Sequence, residues 1–212
     1  TRRVTGSSRR QRRSRRLVGG RFVTLAGFRF LREREIASGY RIRLVKATFE
    51  APDGSTFERD VIRDKRVVAM VPVLDDGNSV LLVRQYRGPL DREMLEIPAG
   101  LCDVDGEDDP TITAARELAE EVGKSAGSLR LLATIHQSAG ISDEHGLIYI
   151  ATDLTDIPDD RQGIEEAYMT VETFDLRHLD EAIDSGLLTD AKTVVGLLRA
   201  RDVLHRGVSL PS

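Results

Sequence analysis

One segment limits the folds open to this chain: PTITAARELAEEV, residues 110–122, is marked as a helix at both ends. Asp109 suits the N-cap, Pro110 the first helical turn and Gly123 the left-handed position that follows a helix. Ile112, Ala115, Leu118, Ala119 and Val122 recur at three- and four-residue spacing, so they are expected to face a core. The sequence around this helix reads as strands. FRFLREREIA (28–37), YRIRLVKATFEA (40–51) and FERDVIR (57–63) alternate, with the turn PDGS (52–55) between the last two, and suggest a small antiparallel sheet. RVVAMVPVL (66–74), the turn DDGN (75–78) and SVLLVRQYR (79–87) are more continuously apolar, as strands buried on both faces are. LRLLATIHQ (129–137), GLIYIATDL (146–154) and AYMTVETFD (167–175) add strands, and helical patterns around 178–185 and 190–205 close the chain. The class this predicts is α+β.

Charge divides the molecule unevenly. Residues 1–16 hold eight arginines and no acid, so a net charge of −4 for the whole leaves the remainder at −12. The expectation is a disordered basic tail over 1–19, with neutralisation of nucleic-acid or anionic-lipid phosphates as the alternative. No apolar run reaches the length of a membrane span, and no apolar segment of a secretory signal follows the arginines. A soluble, cytoplasmic protein is the expectation. Cys102 is the single cysteine, which excludes an intramolecular disulfide and a cysteine-rich zinc site. Any metal must be held by oxygen or histidine.

On the helix, Glu117, Glu120 and Glu121 fall three or four residues apart and crowd one flank, with only Arg116 and Lys124 near enough to offset them. Such a cluster is either a solvated acidic face or a site for a hard cation, which takes oxygen ligands. The helix alone does not decide.

The flanking residues do. LEIPAGLCDVDGEDDPTITAARELAEEVG resembles the signature of the Nudix hydrolases: glycine, five residues, glutamate, seven residues, then Arg-Glu-apolar-any-Glu-Glu-any-Gly-apolar. Residues Arg116-Glu117-Leu118-Ala119-Glu120-Glu121-Val122-Gly123 match its second half. In the first half Asp108 keeps the seven-residue interval to Arg116, Gly100 lies further upstream than the pattern has it, and Lys124 takes the final apolar place. The resemblance implies a Nudix α/β/α sandwich with a mixed β-sheet, preceded by the small N-terminal antiparallel sheet. It implies Glu117, Glu120, Glu121 and the backbone carbonyl of Ala99 as ligands of Mg²⁺, with Mn²⁺ as the substitute. Arg116 and Asp108 then brace the loop and helix.

Within the family the chain is similar to the ADP-ribose pyrophosphatase group, through VRQYR (83–87), LEIPAG (95–100) and GLLTDAKTVVGLLRA (186–200). That implies hydrolysis of ADP-ribose to AMP and ribose 5-phosphate, Arg87 and Glu96 as substrate contacts, and a homodimer formed through the N-terminal sheet. A strand-edge ion pair is the plainer reading of Arg87 and Glu96. The group's general base is a loop glutamate, for which Glu144 in GISDEHG and Glu165 or Glu166 in RQGIEEAYM are the candidates, Glu144 first. Ala139 stands where the group usually has proline, which keeps other nucleoside diphosphate sugars, such as GDP-mannose, in view. Tyr86, in a strand, reads as packed, with stacking on a base as the alternative; His136 and His145 are not proposed as ligands. The expected organisation is a tail over 1–19, a dimerisation sheet over 20–63 and the hydrolase domain over 64–206. Two other readings compete: a spent scaffold that binds nucleic acid through residues 1–16, and a Nudix enzyme for RNA caps or damaged nucleoside triphosphates.

Overall fold

A computed structural model describes residues 16–18, 21–23, 27–102, 109–158 and 168–210. The chain divides into two compact units, 1–34 with 46–60 and 35–45 with 61–212. Strands β1 (Arg16–Val18) and β2 (Arg21–Val23) pair antiparallel. Next, β3 (Arg29–Ser38), β4 (Arg43–Glu50) and β5 (Thr56–Arg63) form a three-stranded sheet in that order, the small N-terminal sheet expected from the alternation. In the first unit Phe28, Phe49 and Phe57 gather, with Phe57 edge-on to Phe28 at 6.0 Å and stacked on Phe49 at 5.5 Å.

The second unit holds the main core. Its strands are β6 (Val67–Pro72), β7 (Ser79–Arg87), β8 (Arg92–Glu96), β9 (Ala99–Leu101), β10 (Lys124–Ile135), β11 (Gly146–Asp156) and β12 (Thr170–Asp175). Its helices are α1 (Pro110–Val122), α2 (Leu179–Asp184) and α3 (Ala191–Arg206). One sheet runs β10-β11-β6-β9 and is mixed, since β11 and β6 are parallel while the outer pairings are antiparallel; a second runs β12-β7-β8. The α+β class and the mixed sheet are as expected.

Side-chain alternation explains why the sheet carries helices on both faces. Along β6, Ala69 and Val71 join the apolar cluster that contains Leu179, Leu197 and Ala200 of α2 and α3, while Val68 and Met70 join the one that contains Ala114, Leu118 and Val122 of α1. β7 and β11 divide in the same way, with Leu82 and Ile150 on the first side and Val83 and Tyr149 on the second. Both faces of a strand buried like this must be apolar, and that is the continuous pattern seen in the sequence. At Gly196 of α3 a Cβ would lie 3.0 Å from Ile97 Cδ1 and 3.2 Å from Val71 Cγ2, so the missing side chain lets the helix settle on the sheet.

The ends of α1 are those the sequence marks. Asp109 accepts from Thr111 N at 2.9 Å, and Gly123 closes the helix at φ 62° with its N–H on Ala119 O. Its buried face differs from the expected one. Thr113, Ala114, Glu117, Leu118, Glu121 and Val122 are buried, whereas Ile112 is 56% exposed and Ala115 is exposed. The physical reason lies opposite the helix: it meets the backbone of β9, which offers polar groups, so two glutamates are carried inward with Leu118.

Candidate active site

The C-terminal half of α1 meets β9. Ala99 N donates to Glu121 Oε2 at 2.9 Å, which ties the last turn of α1 to this strand. Beside it, a Cβ on Gly100 would fall 1.9 Å from Glu117 Cδ, so the Glu117 carboxyl occupies the space that only a glycine leaves. Arg116 gathers the rest, reaching Glu117 Oε1 and Glu120 Oε2 at 2.7 Å each. Burial weakens the Arg116 guanidinium, but the charges of Glu117 and Glu120 outweigh that and raise its pKa. Glu117 and Glu121 are 8% and 5% exposed, buried like core residues although they are acids.

β9 also forms part of the wall of a cleft of about 310 Å³. Arg87, Glu96, Ala99 and Glu144, all singled out from the sequence, line it, and so do Gly100, Arg41, Gln137 and Lys192. Glu96, at the end of β8, is 1% exposed. Arg87 grips it with two parallel bonds, Nε to Oε1 and Nη2 to Oε2, both 2.7 Å, and Lys192 Nζ also donates to Oε2. Burial pushes the Glu96 carboxyl up, yet Arg87 and Lys192 together overcome it and hold it at about 2. Glu96 is therefore a permanent anion, and Arg87, whose pKa Glu96 raises, a permanent cation.

Also lining the cleft, Glu144 follows the turn at 138–142, which is stitched to the end of β5 by Ile62 N on Ile141 O at 2.7 Å. Arg41 donates to Asp64 Oδ1 at 2.9 Å and to Glu144 Oε2 at 3.0 Å, and Gln137 Nε2 donates to Glu144 Oε1. Burial raises the pKa of Glu144 and the neighbouring Asp64 raises it further, against the charge of Arg41. The His136 and His145 rings lie 5.3 Å apart beside it, tilted 31° to each other, with His136 Nδ1 3.1 Å from the Glu144 carbonyl.

The sequence had pointed to neither Lys192 nor Arg41. A hint existed for Lys192, which lies two residues after the α3 N-cap Asp190 in the segment TDAKT; Arg41 sits in a turn with no distinguishing pattern. Asp108, Glu165 and Glu166 lie outside the described residues. Among the described residues Arg116 Nε is buried without a hydrogen-bond partner.

Chemically the α1 face offers only oxygen. No three carboxylates among the described residues converge on one point at ligand distance, because Arg116 and the backbone of β9 hold them. The donor set nonetheless suits a hard divalent cation: three carboxylates within one helical turn, two of them buried, beside the backbone of a cleft-lining strand.

Comparison with known proteins identifies the family. The NUDIX domain model matches residues 64–190. An ADP-ribose pyrophosphatase of Bacillus subtilis is 31% identical over 163 residues, 77% of this chain and 86% of that protein. One of Mycobacterium tuberculosis is 35% identical over 152 residues, 72% of each chain, and the methanol dehydrogenase activator of Bacillus methanolicus is 32% identical over 170 residues, 79% and 89%. Among solved structures, an ADP compounds hydrolase superposes with a TM-score of 0.74 at 21% identity, covering 87% of this chain and 98% of that one, which supports the fold. The chain belongs to the NUDIX domain family.

Proposed function

We infer that this protein is a divalent-metal-dependent pyrophosphohydrolase of nucleoside diphosphate sugars, with ADP-ribose, cleaved to AMP and ribose 5-phosphate, as its preferred substrate. The observation that carries the reading is that the acids of α1 adjoin β9 at the same cleft that Arg87, Glu96 and Glu144 line. Relatives named for ADP-ribose support the choice of sugar. Glu117, Glu120, Glu121 and the carbonyl of Ala99 would hold the ion, with Mg²⁺ first and Mn²⁺ as the substitute. Bound there, it supplies positive charge to the pyrophosphate and makes an attacking water more acidic.

The chain's own groups do the remaining work. Arg87 meets the anionic substrate with its charge fixed by Glu96. Glu144 takes the proton of the attacking water, a task suited to a carboxylate whose pKa is raised above its usual range. A base works only when ionised, so activity is expected to fall as pH drops through the raised pKa of Glu144. Glu144→Gln is expected to lower kcat about a hundredfold and to remove that acid limb; an unchanged pH profile would move the role to another residue, Glu166 being next. Two aromatic side chains of the N-terminal unit are exposed in one chain, Phe28 at 58% and Phe30 at 50%. A homodimer covering them is the reading the family resemblance adds, and a monomer mass by light scattering from a fully active sample would remove it.

A substrate panel tests the substrate assignment. ADP-ribose, ADP-glucose, GDP-mannose, NADH, diadenosine polyphosphates and nucleoside triphosphates are offered with Mg²⁺, and kcat/KM is compared. The highest value for ADP-ribose is the expected result. A higher one for GDP-mannose would keep the chemistry and overturn the substrate.

A further inference from the structure

Lys192 is a buried cation without a place in the chemistry so far. It is 6% exposed, on the first turn of α3, and its Nζ joins two carboxylates: Glu96, through Oε2, and Asp190, through Oδ2 at 3.0 Å. Each neighbour is itself fixed. Asp190 caps α3, its Oδ2 accepting from Thr193 N at 2.9 Å and from Thr193 Oγ1 at 2.6 Å. Thr193 Oγ1 in turn accepts from Ile97 N, the residue after Glu96, at 3.0 Å. A closed chain of bonds thus joins the start of α3 to the end of β8 at the wall of the cleft, and Arg87, with its side chain 35% exposed against 8% for Lys192 and 2% for Glu96, is its most exposed member there.

A long side chain at the end of a strand has many rotamers, and ordering one on substrate binding costs affinity. A buried carboxylate fixed from behind removes that cost, because the guanidinium is already held flat by two parallel bonds. We propose that Lys192, anchored by Asp190, is a positioning residue that fixes Glu96 so that Arg87 is presented to the anionic part of the substrate in one orientation. The proposal rests on the functional reading above, in which Arg87 contacts substrate. Although Lys192 borders the cleft, its Nζ is engaged by Glu96 and Asp190 and its side chain is 8% exposed, so its effect is expected through Arg87, in substrate binding rather than in the chemical step.

The test is a double-mutant cycle on the full chain with Mg²⁺ and ADP-ribose. Lys192→Met is expected to raise KM at least tenfold while kcat changes less than threefold, and to add little in a Glu96→Gln background, where there is no anion left to fix. Lys192→Gln, which keeps a polar tip without the charge, carries the same expectation should the methionine variant not fold. A readout free of turnover separates this idea from the functional reading: the Glu96 carboxyl, followed by carbon NMR, is expected to titrate at higher pH in the Lys192 variant than in the parent. A shifted titration with no cleavage of any nucleoside diphosphate sugar by the parent would sink the functional reading and the role of Arg87 with it. Unchanged KM, an equal effect with and without Glu96, or an unshifted titration in a protein that does cleave ADP-ribose would overturn the proposal alone.

Discussion

Glu121→Gln is expected to lower kcat for ADP-ribose by on the order of 10²–10⁴ while leaving the fold in place. A carboxylate that holds a divalent ion against a reacting pyrophosphate contributes several kcal/mol to the transition state, and each 1.36 kcal/mol is tenfold in rate. Glutamine keeps an oxygen that can still accept from Ala99 N, at 2.9 Å from Glu121 Oε2, so the link from α1 to β9 survives while the charge is lost. Because Glu121 is only 5% exposed, the charge-neutral replacement is gentler on stability than it would be on a surface. Steady-state kinetics with thermal melting checks this. Activity within threefold of the parent, with the same dependence on Mg²⁺, would remove Glu121 from the proposed metal site.

Gly100→Ala should produce the second-largest loss, through one methyl group. The new Cβ would fall 1.9 Å from Glu117 Cδ and 2.1 Å from Oε1, and the backbone of β9 cannot yield easily because Gly100 is paired with Val68 of β6. Glu117 must swing away. Alanine is acceptable to an extended backbone, and a side-chain tip moves at small cost, so melting should shift by only a few degrees, about what ~1 kcal/mol produces. Displacing by an ångström a carboxylate proposed as a metal ligand is expected to cost about a hundredfold in kcat. Apparent affinity for Mg²⁺, followed by activity against metal concentration, should weaken in parallel. An alanine variant with parental kcat would mean that the position of Glu117 is immaterial to turnover.

Much of the fold was legible because local and tertiary demands agree. Asp109 and Gly123 stop α1 where they stand, and the apolar runs of β6 and β7 mark strands covered on both sides. Short β8 and β9 carry less signal. REMLE has two acids and one base among its five residues, and Ala99–Leu101 is held by pairing with β6 rather than by its own propensity. The inward turn of Glu117 and Glu121 was hidden for a related reason. Hydrophobic spacing presumes that a buried face is apolar, and it cannot register a face that meets polar backbone. Arg87 and Glu96 were found as neighbours of a motif, whereas Lys192, 96 residues beyond Glu96, is brought to it only by the packing of α3 on the sheet.

The most direct measurement of the account is product analysis of ADP-ribose incubated with the purified protein, once with Mg²⁺ and once with the divalent ions chelated. The account predicts AMP and ribose 5-phosphate in equal amounts with Mg²⁺, and none after chelation, with activity restored when the ion is returned. Cleavage that continues under chelation, or no cleavage with Mg²⁺ or Mn²⁺, would contradict it.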